Sequence, residues 1–403
     1  MKYSEDEVIQ YAREEDVKFV RLTFCDVFGR QKNIAIMADE LPRAFAYGIS
    51  FDASAIAGFG DEVHSDLLLH PEPETLMPLP WRPETGRVVQ MYSHITHPDG
   101  TPFLCDSRRV LRQAVEDAAQ AGYAFTFGAE QEFYLFRLDE NGRPTCIPSD
   151  EAGYMDLAPE DRGENVRREV CLTLEQMGIH PESSHHEEGP GQNEIDFRYA
   201  DPLSAADNAM TFQRVVKAIA RRNGLAADFS PKPLPEYPGN GFHINMSLRP
   251  FGDEEDFSRM IAGVLKHVPA MTPFLNPCDA SYLRLGRDKA PGYVSWSHEN
   301  RSQLVRIPAA EGEYRRLELR SPDPAANPYL AFALMIYSGL DGITNRLELC
   351  PPSDRNLYTA SPQDLAGYEK LPESFAQACR IAAESGFIRS HIPAAITHIY
   401  CGR

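Results

Sequence analysis

Residues 184–197 read SHHEEGPGQNEIDF. Glu187 and Glu194 stand on either side of a Gly-Pro-Gly turn at 189–191, and His185 and His186 come just before it. Carboxylates this close repel one another, so a folded chain needs a reason to hold them together. A divalent cation is one such reason: Mg²⁺ and Mn²⁺ take oxygen ligands, with histidine tolerated at the softer end. A solvated acidic loop is the other reading, and this stretch alone leaves both open.

Residues 126–136 (TFGAEQEFYLF), 194–199 (EIDFRY), 241–248 (GFHINMSL) and 316–320 (RLELR) alternate as β-strands do. Glu130 and Glu132 share a face, as do Glu194 and Asp196, then His243, Asn245 and Ser247, then Glu318 and Arg320. Phe133, Ile195, Phe242, Leu317 and their alternates lie opposite. A sheet exposed on one side would show Thr, Lys and Ser outward. This polar face is mostly Glu, with His and Arg, which predicts a cleft for metal and phosphate.

Composition bounds the rest. At 403 residues, with 42% apolar and 25% charged residues, the chain is a globular protein of two domains. A net charge of −19 argues against nucleic acid and against anionic membrane surfaces, both of which need a basic footprint. The eight cysteines run from Cys25 to Cys401 without ligand spacing, which reads as thiols in a reducing cytoplasm. No apolar run reaches membrane-spanning length, and the N-terminus opens as an acidic helix, not a signal peptide.

Ser4–Glu7, SEDE, is a capping box opening a helix that ends near Glu15. Strands are expected over 17–24 and 32–37 around a turn at 26–29, and over 87–92. Residues 51–66 read as a small-residue loop ending in Ser65-Asp66. A boundary falls near 104, where Asp106 can cap a helix over 107–120. Beyond it, helical patterns at 164–177, 205–222, 257–268, 328–347 and 373–384 separate the polar-faced strands. This predicts an α+β unit whose large sheet carries its charge on the concave face. Asn327 is the expected N-cap of the 328 helix, with Pro328 at its first position.

Arg301, Arg306, Arg315, Arg316 and Arg320 place five guanidinium groups between residues 301 and 320. Arginine matches carboxylate and phosphate oxygens in a fork. Metal carboxylates beside an arginine cluster suit phosphoryl transfer from a metal-bound nucleotide. There is no GxxxxGK[ST] loop and no kinase HRD or DFG set, so those nucleotide folds are excluded.

From Val17 to about Tyr358 the chain resembles the glutamine synthetase family of prokaryotic type. FDASAI stands for the family's FDGSSI, GAEQEF for GPEPEF, SHHEEGPGQNEIDF for SHHEVAPGQHEIDF, and GFHINMSL for GMHCNLSL. PKPL at Pro231, NRSQLVRIP and RLELRSPDPAANPYLA complete the match. The resemblance implies an α+β fold: an N-terminal β-grasp domain over 1–104, then a catalytic domain over 105–403 with a large curved antiparallel sheet flanked by helices. It implies a homo-oligomeric ring with active sites between subunits. The activity implied is an ATP-dependent ligase that forms glutamine, or a related γ-glutamyl amide, through an acyl phosphate.

By the same resemblance the cofactors are ATP and Mg²⁺ or Mn²⁺, two or more ions per site. Glu132, Glu187 and Glu194 would hold the first ion, and Glu130, His243 and Glu318 the second. Arg301, Arg306 and Arg316 match phosphate contacts. Arg284, Arg320 and Gly239 match substrate contacts. Glu182, Tyr199 and Ser247 match nucleotide contacts. Asp52, with Ser65 and Asp66, matches the segment that completes a neighbouring subunit's site.

Three departures bear on substrate and a fourth on assembly. The family's lid, PGYEAP, is one residue shorter here and reads GRDKAP, with Lys289 in place of the lid glutamate and Asp288 beside it. Pro238 replaces a substrate-contacting Asn, and Ala55 the second Ser of FDGSSI. The chain also ends at Arg403, before the segment that ties two rings together, which favours a single ring. Three readings follow: a glutamine synthetase in which Asp288 serves for the lid glutamate; a γ-glutamyl-amine or polyamine ligase with little ammonia activity; or a catalytically silent, regulatory ATP-binding homologue.

Overall fold

The computed structural model describes residues 3–60, 63–82, 85–250, 253–310 and 312–402. Residues 61 and 62 of the small-residue loop and the terminal Arg403 lie outside them. The expected caps form. Ser4 and Glu7 bond reciprocally ahead of the helix Glu5–Glu14. Asp106 accepts from two amides at the head of Ser107–Gln120, and Asn327 caps Pro328–Thr344 with proline in the first turn.

Two sheets organise the described residues. The N-terminal sheet runs Gln31–Met37, Val17–Cys25, Arg87–Thr96, Asp66–Pro71, Ile49–Asp52, and Met77–Pro78 pairs onto its middle strand. Its Val17–Cys25/Arg87–Thr96 pair is parallel and the others are antiparallel. The larger sheet has nine strands. Its path runs Trp296–His298, Val305–Ile307, Leu317–Leu319, Phe242–Arg249, Ala124–Leu138, Gln192–Ala200, Pro181–His186, while Pro144–Pro148 and Leu225–Asp228 both pair with the 15-residue Ala124–Leu138. That long strand is the spine on which the polar face is assembled. Pairing is antiparallel apart from Trp296–His298 with Val305–Ile307.

The apolar face is covered by helices. Glu254–Leu275 lies so close to Pro328–Thr344 that a Cβ on Gly342 would fall 2.0 Å from the Arg259 carbonyl, so only glycine fits the crossing. The Glu254–Leu275 helix corrects the reading that stopped at 268: it carries Pro269 and Pro273 inside it. Each interior proline forgoes a backbone bond at a cost of about 3 kcal/mol. Burial of nearly every side chain from Met260 onward offsets this. The last predicted helix begins two residues late, at Phe375, because Ser374 is its cap.

A buried ionic network joins the two sheets' surroundings. Arg108 donates from Nη1 to Glu72 Oε2 (2.5 Å) and through Nε and Nη2 to both oxygens of Asp207, at 2.9 Å each. Tyr329 Oη donates to Asp207 as well, at 2.6 Å, and Arg112 also engages Glu72. Burial raises the Glu72 pKa, but His94, Arg108 and Arg112 outweigh it and hold the carboxyl at about 2. Because that lies below the usual 4.5, its contribution to stability is complete above the unfolded value and is lost as pH falls through the folded one. Glu72→Gln is expected to cost about 3 kcal/mol at neutral pH. In denaturant titrations the gap to wild type should close as pH drops from 4.5 towards 2. A gap constant across that range would contradict the role given to Glu72.

Candidate active site

Strand register builds the site. Between Gln192–Ala200 and Ala124–Leu138, Glu194 lies opposite Glu132 and Asp196 opposite Glu130. The next pairing sets His243 opposite Glu130, and the one beyond sets Asn245 opposite Glu318. On the other flank His185 lies opposite Glu194. Arg306 completes the row opposite Glu318. Side chains on one face of paired strands are neighbours, so these registers turn four separate sequence motifs into one polar surface.

That surface lines a cavity of about 490 Å³. Glu130, Glu132, Glu187, Glu194 and His243 line it, with Gly239, Arg284, Asp288, Lys289, Arg301, Arg306, Arg316 and Arg320. Glu318 lies beneath, wholly buried, its Oε2 2.5 Å from Arg306 Nη1 and its Oε1 2.8 Å from Arg320 Nη1. Asp52 does not line this chain's cavity: it is exposed and accepts from the Ser54 amide and hydroxyl, while Asp66 pairs with it across the N-terminal sheet. Glu182 also falls outside the lining, and buried Ser247 donates to the Arg315 carbonyl at 2.9 Å. Tyr199 sits beside it, 5.8 Å below the Arg316 guanidinium, over Gly128 where a Cβ would come within 3.2 Å of the ring.

One reading of the sequence is corrected. Arg315 leaves the cluster of five: one position out of phase with Arg316 and Arg320, it pairs with Glu254 and stacks over Phe257 at 4.2 Å. Two sets of groups in the cavity stand close enough to share an ion. Ligand atoms of Glu130, Glu194 and His243 lie within 4.8 Å of one another, and so do those of His185, Glu187 and Glu194. Glu194 therefore belongs to both groups. Glu132 instead accepts from the Gly241 amide (2.7 Å) and Gln192 Nε2 (3.2 Å), and Glu318 is taken by its arginines.

The carboxylates strain against one another. Burial, then Glu132, pushes Glu187 up to about 8. Burial, then Asp196 and Glu132, raises Glu194 well above the carboxylate range, and burial with Glu130 takes Asp196 to about 7. Burial, with Arg320 nearby, lowers His243 to about 4 and keeps the imidazole neutral and able to ligate. Hard oxygens short of positive charge, beside a neutral imidazole, fit Mg²⁺ or Mn²⁺. Asp196 was not singled out from sequence, although it shares Glu194's face; nor was His185, whose register opposite Glu194 needed the strand pairing.

Mg²⁺ or Mn²⁺ should raise the melting temperature, by about 2.7 kcal/mol of stability at a hundredfold excess over Kd. Glu194→Gln should remove most of that gain. Because Glu187 is held protonated up to about 8, binding displaces protons, and affinity should tighten as pH rises towards that value. Calorimetry in two buffers of different ionisation enthalpy reads both effects, and an ion-independent melting curve contradicts them.

Comparison with known proteins follows the same lines. The β-Grasp domain model of glutamine synthetase matches residues 16–98, and the glutamine synthetase catalytic domain model matches residues 104–402. The glutamine synthetase of Clostridium saccharobutylicum is 44% identical over 399 residues, covering 95% of this chain and 90% of that protein. That of Methanosarcina mazei is 42% identical over 416 residues, covering 99% and 93%. A solved GmaS/ADP complex superposes with a TM-score of 0.88 at 29% identity, over 98% of this chain and 94% of that one. A Plasmodium falciparum glutamine synthetase structure, at 21% identity and TM-score 0.87 over 100% and 95%, shares the fold. Family models spanning most of the chain, and relatives this similar, establish that the protein belongs to the glutamine synthetase family and is an ATP-dependent ligase that forms a carbon–nitrogen bond.

Proposed function

We propose that the protein joins the side-chain carboxylate of glutamate to ammonia, making glutamine. The observation that carries this reading is the single cavity in which a carboxylate row meets Arg284, Arg301, Arg306, Arg316 and Arg320. Names borne by relatives at 40–44% identity support ammonia as the amine.

Glu130, Glu132, Glu187, Glu194, His243 and Glu318 would hold two divalent ions, with Arg306 and Arg320 releasing Glu318 as they do. Bound ATP and its ions supply the phosphoryl group that activates the carboxylate, and the charge that offsets its transfer. Arg301, Arg306 and Arg316 orient the phosphates. Tyr199, with its Arg316 partner, offers a surface for the base, and Glu182 and Ser247 the ribose side. Arg284 donates to the Ser321 carbonyl at 2.7 Å and to the Arg320 carbonyl at 3.3 Å; burial lowers its pKa, a cation short of negative charge that suits a substrate carboxylate. Arg320 and Gly239 complete that end. Asp52 and Asp66 would act in a neighbouring chain's cavity, within a cytoplasmic ring of identical subunits built from domains 1–104 and 105–403. A monomer by light scattering would overturn that part.

A second reading, a larger amine in place of ammonia, is favoured by the lid. Lys232 Nζ, on a side chain only 6% exposed, donates to Asp288 Oδ2 at 2.6 Å, and Lys289 pairs with Glu188. Tyr358 Oη also lies within hydrogen-bond reach of the Lys289 and Arg301 carbonyls, at 2.5 and 2.7 Å, and its one proton serves either of them. Both acidic groups at the lid thus already have ammonium partners, so the lid is cross-tied rather than baited for ammonium. Assays with ATP, Mg²⁺, glutamate and a panel of amines decide between the readings; turnover only with a larger amine rejects the first. If Asp288 only anchors the lid, Asp288→Ala and Lys232→Ala should slow amide formation alike, by about tenfold, or ~1.4 kcal/mol of barrier. A far larger loss in Asp288→Ala alone would make it the direct ammonium partner.

A further inference from the structure

Behind the cavity lies a buried ion pair that the chemistry above does not use. His186 ends the strand Pro181–His186, wholly buried, immediately before Glu187. Its Nε2 is 2.9 Å from Asp150 Oδ1, and its Nδ1 is 2.6 Å from the carbonyl oxygen of Glu187. Carboxylate and carbonyl only accept, so both ring nitrogens donate. Asp150 in turn accepts the Gly191 amide on the same Oδ1 at 2.9 Å and the Arg162 amide on Oδ2 at 3.0 Å.

Glu187 and Gly191 bound the segment that contains the Gly-Pro-Gly turn. Within it the Glu187 amide donates to the Gln192 carbonyl at 2.8 Å, and the Gln192 amide to the Gly189 carbonyl at 2.9 Å. His186 therefore pins one end and Asp150 the other. Gly191 makes this possible: its φ is +68°, and a Cβ there would meet the Leu135 carbonyl at 2.8 Å. The Met155 amide donates to the His186 carbonyl at 3.0 Å, which ties the loop after Asp150 to the same strand. That loop carries Tyr154, which lines the cavity and meets the His185 ring edge-on at 5.4 Å.

Asp150, Asp161 and His186 offer ligand atoms within 4.8 Å of one another. They do not form a further metal centre: both His186 ring nitrogens carry protons and offer no lone pair, and Asp161 Oδ2 already accepts from Arg167 Nη2 at 2.5 Å.

We infer that Asp150 and His186 are positioning residues that fix the backbone of the Glu187 turn, and so aim the Glu187 carboxylate at a divalent ion. This rests on Glu187 being a metal ligand. Partners of that kind, one shell behind the ligands, typically govern metal affinity by about 10–100-fold.

Mn²⁺ binding, followed by electron paramagnetic resonance on the purified protein without nucleotide, tests the inference. Asp150→Asn and His186→Asn should each weaken one class of Mn²⁺ site by about 10–100-fold. Val264→Ala, which opens a buried position in a helix on the far side of the sheet, should lower the melting temperature yet leave Mn²⁺ affinity unchanged. If His186→Asn does not fold, the isosteric Asp150→Asn still gives the reading. Folded Asp150→Asn with wild-type Mn²⁺ affinity overturns the inference. Glu187→Gln separates the two failures. If it loses affinity while Asp150→Asn does not, only the positioning role falls; if it too binds Mn²⁺ normally, Glu187 is not a ligand and both fall.

Discussion

The structure depends on holding like charges together on one face of one sheet. Two carboxylates 4 Å apart repel by about 4 kcal/mol at the effective dielectric of a protein surface. Here Glu130, Glu132, Glu187, Glu194 and Asp196 converge on a single cavity. Folding answers the repulsion in different ways along the row. Glu318 receives two guanidinium groups. Glu132 receives a backbone amide and the Gln192 amide group. Glu130 takes Asn245 Nδ2 at 2.7 Å. For Glu187, Glu194 and Asp196 burial and the neighbouring carboxylates win, and their pKa values are raised. The charge the row lacks is what divalent ions bring, and this links the sheet's architecture to ligase chemistry.

The surrounding fold works to make that placement rigid. The long Ala124–Leu138 strand carries Glu130 and Glu132 and lies between Gln192–Ala200, which carries Glu194 and Asp196, and Phe242–Arg249, which carries His243; Glu318 comes from one strand further out on one side, and Glu187 directly follows the strand further out on the other. Its apolar alternates, Phe133 and Leu135 among them, are fully buried. A slip of one residue in any of these pairings would turn the slipped strand's site residues to the wrong face. The register is therefore fixed by the core as much as by the site.

Much of this was legible in the residues, and the reasons differ from case to case. Alternation in GAEQEF, NEIDF, GFHINMSL and RLELR put the acids on one face because side chains alternate strictly along a strand. Capping signals at Ser4, Asp106 and Asn327 were legible because a cap is local chemistry. Arg315 was misplaced by counting arginines without applying that same alternation. The helix through Pro269 and Pro273 was cut short because local propensity does not register how tightly a helix will be packed. The partners that matter most around the site were not legible at all. Lys232 lies 56 residues from Asp288, Glu188 lies 101 from Lys289, and Asp150 lies 36 from His186. Nothing in an Asp or a Lys at such separations announces its partner until the chain is folded.

Two divalent ions held by this carboxylate row are what the proposed chemistry requires. The most direct measurement is anomalous diffraction from crystals soaked in Mn²⁺ with a non-hydrolysable ATP analogue. Two Mn²⁺ peaks are expected in the one cavity. One should be bounded by Glu187 and Glu194 and the other by Glu130 and His243, with Glu318 turned from at least one of its arginines. A cavity without peaks at saturating Mn²⁺, with Glu318 still clasped by Arg306 and Arg320, would contradict that requirement.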